Sequence, residues 1–199
     1  MFQSFNAVSS PETGAPRLAA LRVALVAEGL AGFIIPRADA HQGEYVAARD
    51  ERLQWLTGFT GSAGFCVVLP DMAGVFIDGR YRVQVKGQVD LGHFTPVPWP
   101  ETSAGDWIKA NLSAGVVGFD PWLHTADEIS SLETTLEDTS VTISSCNNIV
   151  DFIWTDQPVV PVGLAFVHPD ALAGETSATK RARLAEDLRK AGQIGRAHV

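Results

Sequence analysis

The densest run of chemistry-bearing side chains in this sequence is Asp39, His41, Glu44, Tyr45, Asp50 and Arg52, ending at Trp55. It directly follows the apolar run AGFIIP. Ligands of open α/β sheets gather in loops beyond the carboxyl ends of strands, so this segment is placed to be a ligand loop. A hydrogen-bonded structural loop accounts for the same residues, and both readings stand at this level. His41 and Glu44 form one His-x-x-Glu pair, but two donors without a third do not make a metal site. The other histidines, His93, His124, His168 and His198, show no His-x-x-x-His spacing. His93, His124 and His168 lie beside turns or prolines and read as surface residues. Asp50/Glu51 and Asp127/Glu128 are adjacent acids, and sequence neighbours do not face each other on a helix.

Two other segments invite a chemical reading. TGFTGSAG (57–64) is glycine-rich, but a phosphate cradle leads into a helix and a P-loop also needs Gly-Lys-Ser/Thr. Here the glycines run into the strand-like GFCVVL, which fits a tight loop with close backbone packing. Ser62 lacks a Gly-x-Ser-x-Gly setting. Asp78-Gly79-Arg80-Tyr81 reads as a strand-to-helix turn, with Asp78 capping the next helix. No complete metal or acid–base site assembles from these spacings.

The elements that must position these residues follow an α/β pattern. The polar residues 1–15 read as a flexible tail. PRLAALRVALVAEGL is a helix with Leu18, Leu21 and Leu25 at helical spacing, and AGFIIP is a buried strand. GFCVVL (64–69) and AGVFID (73–78) form a hairpin around Pro70-Asp71-Met72. Residues 79–89 fit one helix with Tyr81, Val85 and Val89 on a face. HFTPVPW suits an edge strand, because its prolines cannot donate to an inner ladder. A helix capped by Ser103, the strand GVVGFDP (115–121), a helix capped by Thr125 and the strand SVTISS (140–145) complete the series. The fold class is α/β, a mixed sheet of about six strands flanked by helices. Residues 16–150 form the main domain. The proline-punctuated 151–175 reads as a linker, and 176–193 as a helix opening a second domain, with Leu184 and Leu188 inward. The final IGRAHV (194–199) is what one reading frame of a widely used sequencing adapter encodes, and reads as a non-native tail on a truncated chain.

Composition narrows the function classes. Of 199 residues, 46% are hydrophobic and 19% charged, and the net charge is −8. An acidic chain without a basic run is a poor nucleic-acid binder. No stretch has the roughly 18 uninterrupted apolar residues of a membrane span. Two cysteines and no secretory leader fit a reducing, cytoplasmic setting.

IIPRADAHQGEYVAARDERLQWLTGFTGSAG, followed by FIDGRYRVQ, resembles the N-terminal domain of the cytosolic three-domain Xaa-Pro aminopeptidases. The matching motifs are Asp39-Ala40-His41, Glu44-Tyr45, Arg52, Gly58-Phe59, Gly61-Ser62-Ala63-Gly64 and Asp78-Gly79-Arg80-Tyr81 with Gln84. Val117-Gly118-Phe119-Asp120-Pro121 and Ile153-Trp154 with Pro158 continue the order, so the likeness runs from about residue 16 to 192. It implies a creatinase/prolidase-like domain that caps the cleft of a catalytic domain and supports a homodimer. The catalytic domain would hold two divalent metals, manganese by expectation, and hydrolyse the bond between a first residue and a following proline. On that resemblance Arg52 contacts substrate or gates its access, since a planar guanidinium suits a peptide carboxylate or carbonyl, and His41 is the second choice. The expected partners are peptides with proline in second position. No catalytic or metal-ligating residue is expected in this chain, which alone should be inactive. A non-catalytic protein-binding module of the same architecture is the alternative. A small-molecule-binding domain using the 39–55 loop is a third reading.

Overall fold

The structure, a computed structural model, describes residues 9–193. The chain divides into two units, one up to Val160 and one from Pro161.

The first unit is built on a six-stranded sheet in the order β4-β3-β2-β1-β5-β6. The strands are β1 (Gly32–Pro36), β2 (Phe65–Val68), β3 (Ala73–Ile77), β4 (Thr95–Pro98), β5 (Ala114–Phe119) and β6 (Ser140–Ser145). β2 runs antiparallel to both β1 and β3, whereas the β1–β5, β3–β4 and β5–β6 pairs are parallel. The mixed α/β sheet is therefore as expected. The hairpin closes at Pro70–Met72, where Leu69 N donates to Met72 O at 2.8 Å. Proline-bearing β4 lies at one edge of the sheet and β6 at the other.

Period-two alternation sends side chains to two separate cores. Phe33 and Ile35 of β1 join Val75 and Ile77 of β3 on one face. They pack against α1 (Gly14–Ala27), α2 (Arg52–Thr57), α3 (Gln84–Gln88) and α6 (Ile149–Ile153). Leu18, Leu21 and Leu25 of α1 are the expected stripe, each 3% exposed or less. Ile34 and Phe76 point the other way, towards α4 (Ala104–Asn111) and α5 (Ala126–Leu136). Ser103 caps α4, and Thr125 with Glu128 forms a full capping box on α5.

In the first unit four expectations are corrected. The N-terminal tail is not loose from residue 9: Ser9 Oγ lies 2.7 Å from Gly58 O and 2.9 Å from Gln88 O. Pro11–Thr13 then form a 3-10 turn leading into α1. Gly58 permits this closeness at φ +84°, because a Cβ there would stand 2.4 Å from Gln88 O. The helix expected over 79–89 splits into a 3-10 turn at Gly79–Tyr81 and the short α3. Residues 151–154 are not linker, because α6 ends at Ile153 and Trp154 is 7% exposed, stacked on Trp55 at 5.2 Å. His124 is not a surface histidine, its side chain being 9% exposed.

The second unit holds α7 (Asp170–Ala173) and α8 (Ser177–Lys190), the latter capped by Thr176. Leu184, expected inward, is 60% exposed. Residues 194–199, expected to be a non-native tail, lie outside the described residues, as do 1–8.

Candidate functional site

β1 and β5 are parallel neighbours whose connections leave for opposite faces of the sheet. After β1 the chain passes through residues 37–51 into α2, and after β5 it passes through 120–125 into α5. The carboxyl ends of such a strand pair open a crevice. A groove of about 600 Å³ lies there. One wall comes from Arg37, Gly43 and Glu44, the opposite wall from His124 and Asp127, and Phe65 and Trp99 also line it.

The loop after β1 is shaped by local hydrogen bonds. Asp39 Oδ1 accepts from the backbone N–H groups of His41, at 2.9 Å, and Gly43, at 3.1 Å. Those donors hold the Asp39 carboxyl below the usual carboxylate range. Arg37 ties the loop down through Glu44 O at 2.8 Å and Ser62 O at 3.1 Å, and its guanidinium pairs with Glu51 at 3.5 Å. His41, Glu44 and Tyr45 are exposed.

Arg52 is placed differently from His41. It opens α2, is 5% exposed, and its guanidinium is shared between two carboxylates. Nε and Nη2 form a bidentate pair with Asp151 of α6, at 2.7 and 2.9 Å, while Nη1 donates to Asp50 at 3.0 Å. Burial alone would depress its pKa, and the bonds to Asp151 and Asp50 outweigh that, holding it above the ordinary arginine value. Gln157 extends the network, donating to Asp151 Oδ1 at 2.8 Å and to Arg49 O at 3.0 Å. Arg52 thus joins α2 to α6 inside the fold and is not presented on the groove, whose lining excludes it. Asp151 and Gln157 escaped notice in the sequence because they lie in the stretch read as linker.

The glycine-rich stretch and the Asp78 turn meet. Tyr81 Oη accepts from Ser62 N at 3.1 Å and lies 2.6 Å from Ser62 Oγ, while its ring packs edge-on against Phe59. Asp78 Oδ1 accepts from Arg80 N at 2.9 Å, the expected cap. These residues brace the loop wall from behind. The Ser62 hydroxyl has a tyrosine neighbour and no base beside it, so it remains a structural contact.

His124 is the residue that sequence spacing could not single out. Its ring stands edge-on to Phe119 at 5.7 Å, and Nδ1 lies 4.0 Å from Glu128 Oε2. Burial pushes its pKa down, against the opposing pull of Glu128 and Asp120. The unfolded chain therefore takes up a proton at higher pH than the folded one. Stability should fall as pH drops through the ordinary histidine value near ~6.5 and level off below the depressed folded value. Urea unfolding between about pH 5 and 7 should show this slope, and His124→Gln should flatten it; an unchanged slope would assign it elsewhere.

Among the described residues, no three His, Cys, Asp or Glu side chains come together as a metal site. No helix there is long and apolar enough to cross a membrane.

The family model for the creatinase/prolidase N-terminal domain matches residues 17–153. Human Xaa-Pro aminopeptidase 2 is 35% identical over 176 residues, covering 87% of this chain and 26% of its own length. The rat protein of the same name is 37% identical over 163 residues, covering 80% and 24%. The chain therefore spans about a quarter of the length of these curated relatives. Among solved structures, the X-prolyl aminopeptidase of Caenorhabditis elegans, described as a cytosolic enzyme with a di-nuclear active site, gives a TM-score of 0.75. The match is 30% identical and covers 90% of this chain and 32% of that one. A Xaa-Pro dipeptidase from Bacillus anthracis, at 17% identity and TM-score 0.54, shares the fold alone.

Proposed function

The chain belongs to the creatinase/prolidase N-terminal domain family, and we propose that it is the N-terminal part of a metal-dependent Xaa-Pro aminopeptidase. The observation that carries this reading is the relatedness to Xaa-Pro aminopeptidases across most of the chain, with the fold of the nematode enzyme. The substrate class is peptides with proline second. The setting is the cytoplasm, as described for that neighbour.

Among the described residues no three donors come together as a metal site; by resemblance, bond cleavage and the two divalent ions, manganese by expectation, belong to the catalytic domain. This chain's part is to cap the cleft and to support a homodimer. The residues given to substrate divide by placement. His41, exposed on the loop braced by Asp39 and Arg37, is the one that reaches towards a peptide. Arg52 acts through others: it is a positioning residue that fixes the start of α2, and with it the end of the loop.

The test is to read the source gene beyond codon 193 and to assay both products. The complete polypeptide should release the first residue from an Xaa-Pro peptide with added manganese, and the 199-residue chain should release none. A complete polypeptide without that activity, or release by this chain alone, overturns the reading.

A further inference from the structure

The groove at the ends of β1 and β5 has a chemical character that capping a cleft does not require. Its volume, about 600 Å³, is that of a small-molecule site. The lining includes an aromatic pair, Phe65 and Trp99, packed edge to face at 6.1 Å. Against this apolar surface stands His124, nine-tenths buried, whose Nε2 is one of two buried side-chain nitrogens among the described residues with no hydrogen-bond partner. Its other nitrogen is turned towards the Glu128 carboxylate, which favours the proton on Nδ1 and leaves the lone pair on Nε2. A buried lone pair without a donor is costly, and a ligand N–H relieves it.

Apart from Arg37, the charges on its lining are carboxylates. Asp127 and Glu44 line opposite walls, and both are exposed. Glu128 is occupied by the cap, accepting from Thr125 N at 2.8 Å. The cation on the lining, Arg37, is already spent on Glu44 O, Ser62 O and Glu51. The helix starts that face the groove are satisfied by Ser103 and Thr125 and carry acids in their first turns, which disfavours an anion.

We propose that this groove binds a small organic ammonium with an apolar body, the body against Phe65 and Trp99 and the ammonium between His124 Nε2 and the carboxylates of Asp127 and Glu44. The site belongs to this domain itself, and it stands or falls apart from the peptidase reading.

The test is calorimetric titration of the 199-residue chain with phenethylammonium, 2-phenylethanol and 3-phenylpropionate, which share a body and differ in charge. Saturable one-site binding is expected for the cation, at least about tenfold tighter than for the other two. Replacing both exposed acids, Glu44→Gln with Asp127→Asn, should weaken it about tenfold, and His124→Phe should do likewise. Because His124→Phe alters a buried position, the surface pair keeps the test decisive if that variant unfolds. Phenylalanine amide in place of phenethylammonium identifies the source: tighter binding assigns a peptide terminus, and weaker binding a free amine. Equal affinity for the three probes, no saturation up to about 10 mM, or indifference to the surface pair overturns the proposal.

Discussion

Replacing Arg52 by methionine should lower the stability of the first unit by about 3 kcal/mol, because two partly buried carboxylates are left without their cation. For a unit of this size that is a fall of roughly 10 °C in Tm. The side chain is long enough for methionine to occupy its path, so the loss reports the charge and not a cavity. Asp151 and Asp50 keep some access to water, their side chains being 28% and 19% exposed, which holds the cost at the lower end for broken buried pairs. Lysine should recover less than half, since an ammonium cannot reproduce the bidentate fork on Asp151. Combining Arg52→Met with Asp151→Leu should cost clearly less than the two separate losses added together. A single-variant loss below about 1 kcal/mol would show that the pair does not join α2 to α6 energetically.

A chain ending at Val160 should unfold at the same midpoint as the 199-residue protein, whereas one ending at Val150 should not reach a stable fold. The shorter chain loses Trp154, which stacks on Trp55, which in turn lies under the Arg17 guanidinium at 4.5 Å. Losing a buried tryptophan costs about 3–5 kcal/mol, and losing Asp151 strands Arg52 at about 3 more. Together they rival the whole stability of a small domain, about 5–15 kcal/mol. The second unit contributes no buried side chain of its own in α7 or α8, so its removal should pass unnoticed. Circular dichroism melts of the two truncations decide the matter, with Trp154→Ala in the full chain as an independent check. A cooperative, undiminished melt for the chain ending at Val150 would mean that α6 is an ornament.

These two experiments bear on what could be read from the residues alone. The sheet was legible because its signals are local: β-run lengths, the Pro70-Asp71-Met72 turn, and the caps Ser103 and Thr125 that start the helices between strands. Pro96 and Pro98 correctly marked an edge. Short helices were not legible, since the five residues of α6 complete little more than a turn and show no period. Its prolines downstream then made 151–154 resemble a tether. The partner of Arg52 lies 99 residues away, and nothing in sequence spacing links them. The motifs carrying the resemblance drew attention to Arg52, but not to the two aspartates that the fold sets around its guanidinium. His124 sits beside a turn, as surface histidines do, and only the fold sets its ring against Phe119 at the end of β5.

The two rims of the sheet differ in how they would treat a stray chain. Along β4, Pro96 and Pro98 offer no amide hydrogen, so an incoming strand finds every second rung missing. Along β6, Ser-Val-Thr-Ile-Ser-Ser has neither proline nor lysine, and most of its residues face solvent. Self-association by strand recruitment would therefore be directional, growing from the serine-rich rim while the proline rim ends each chain of copies. Such growth stops at two molecules joined rim to rim, because each has only one side that can be extended.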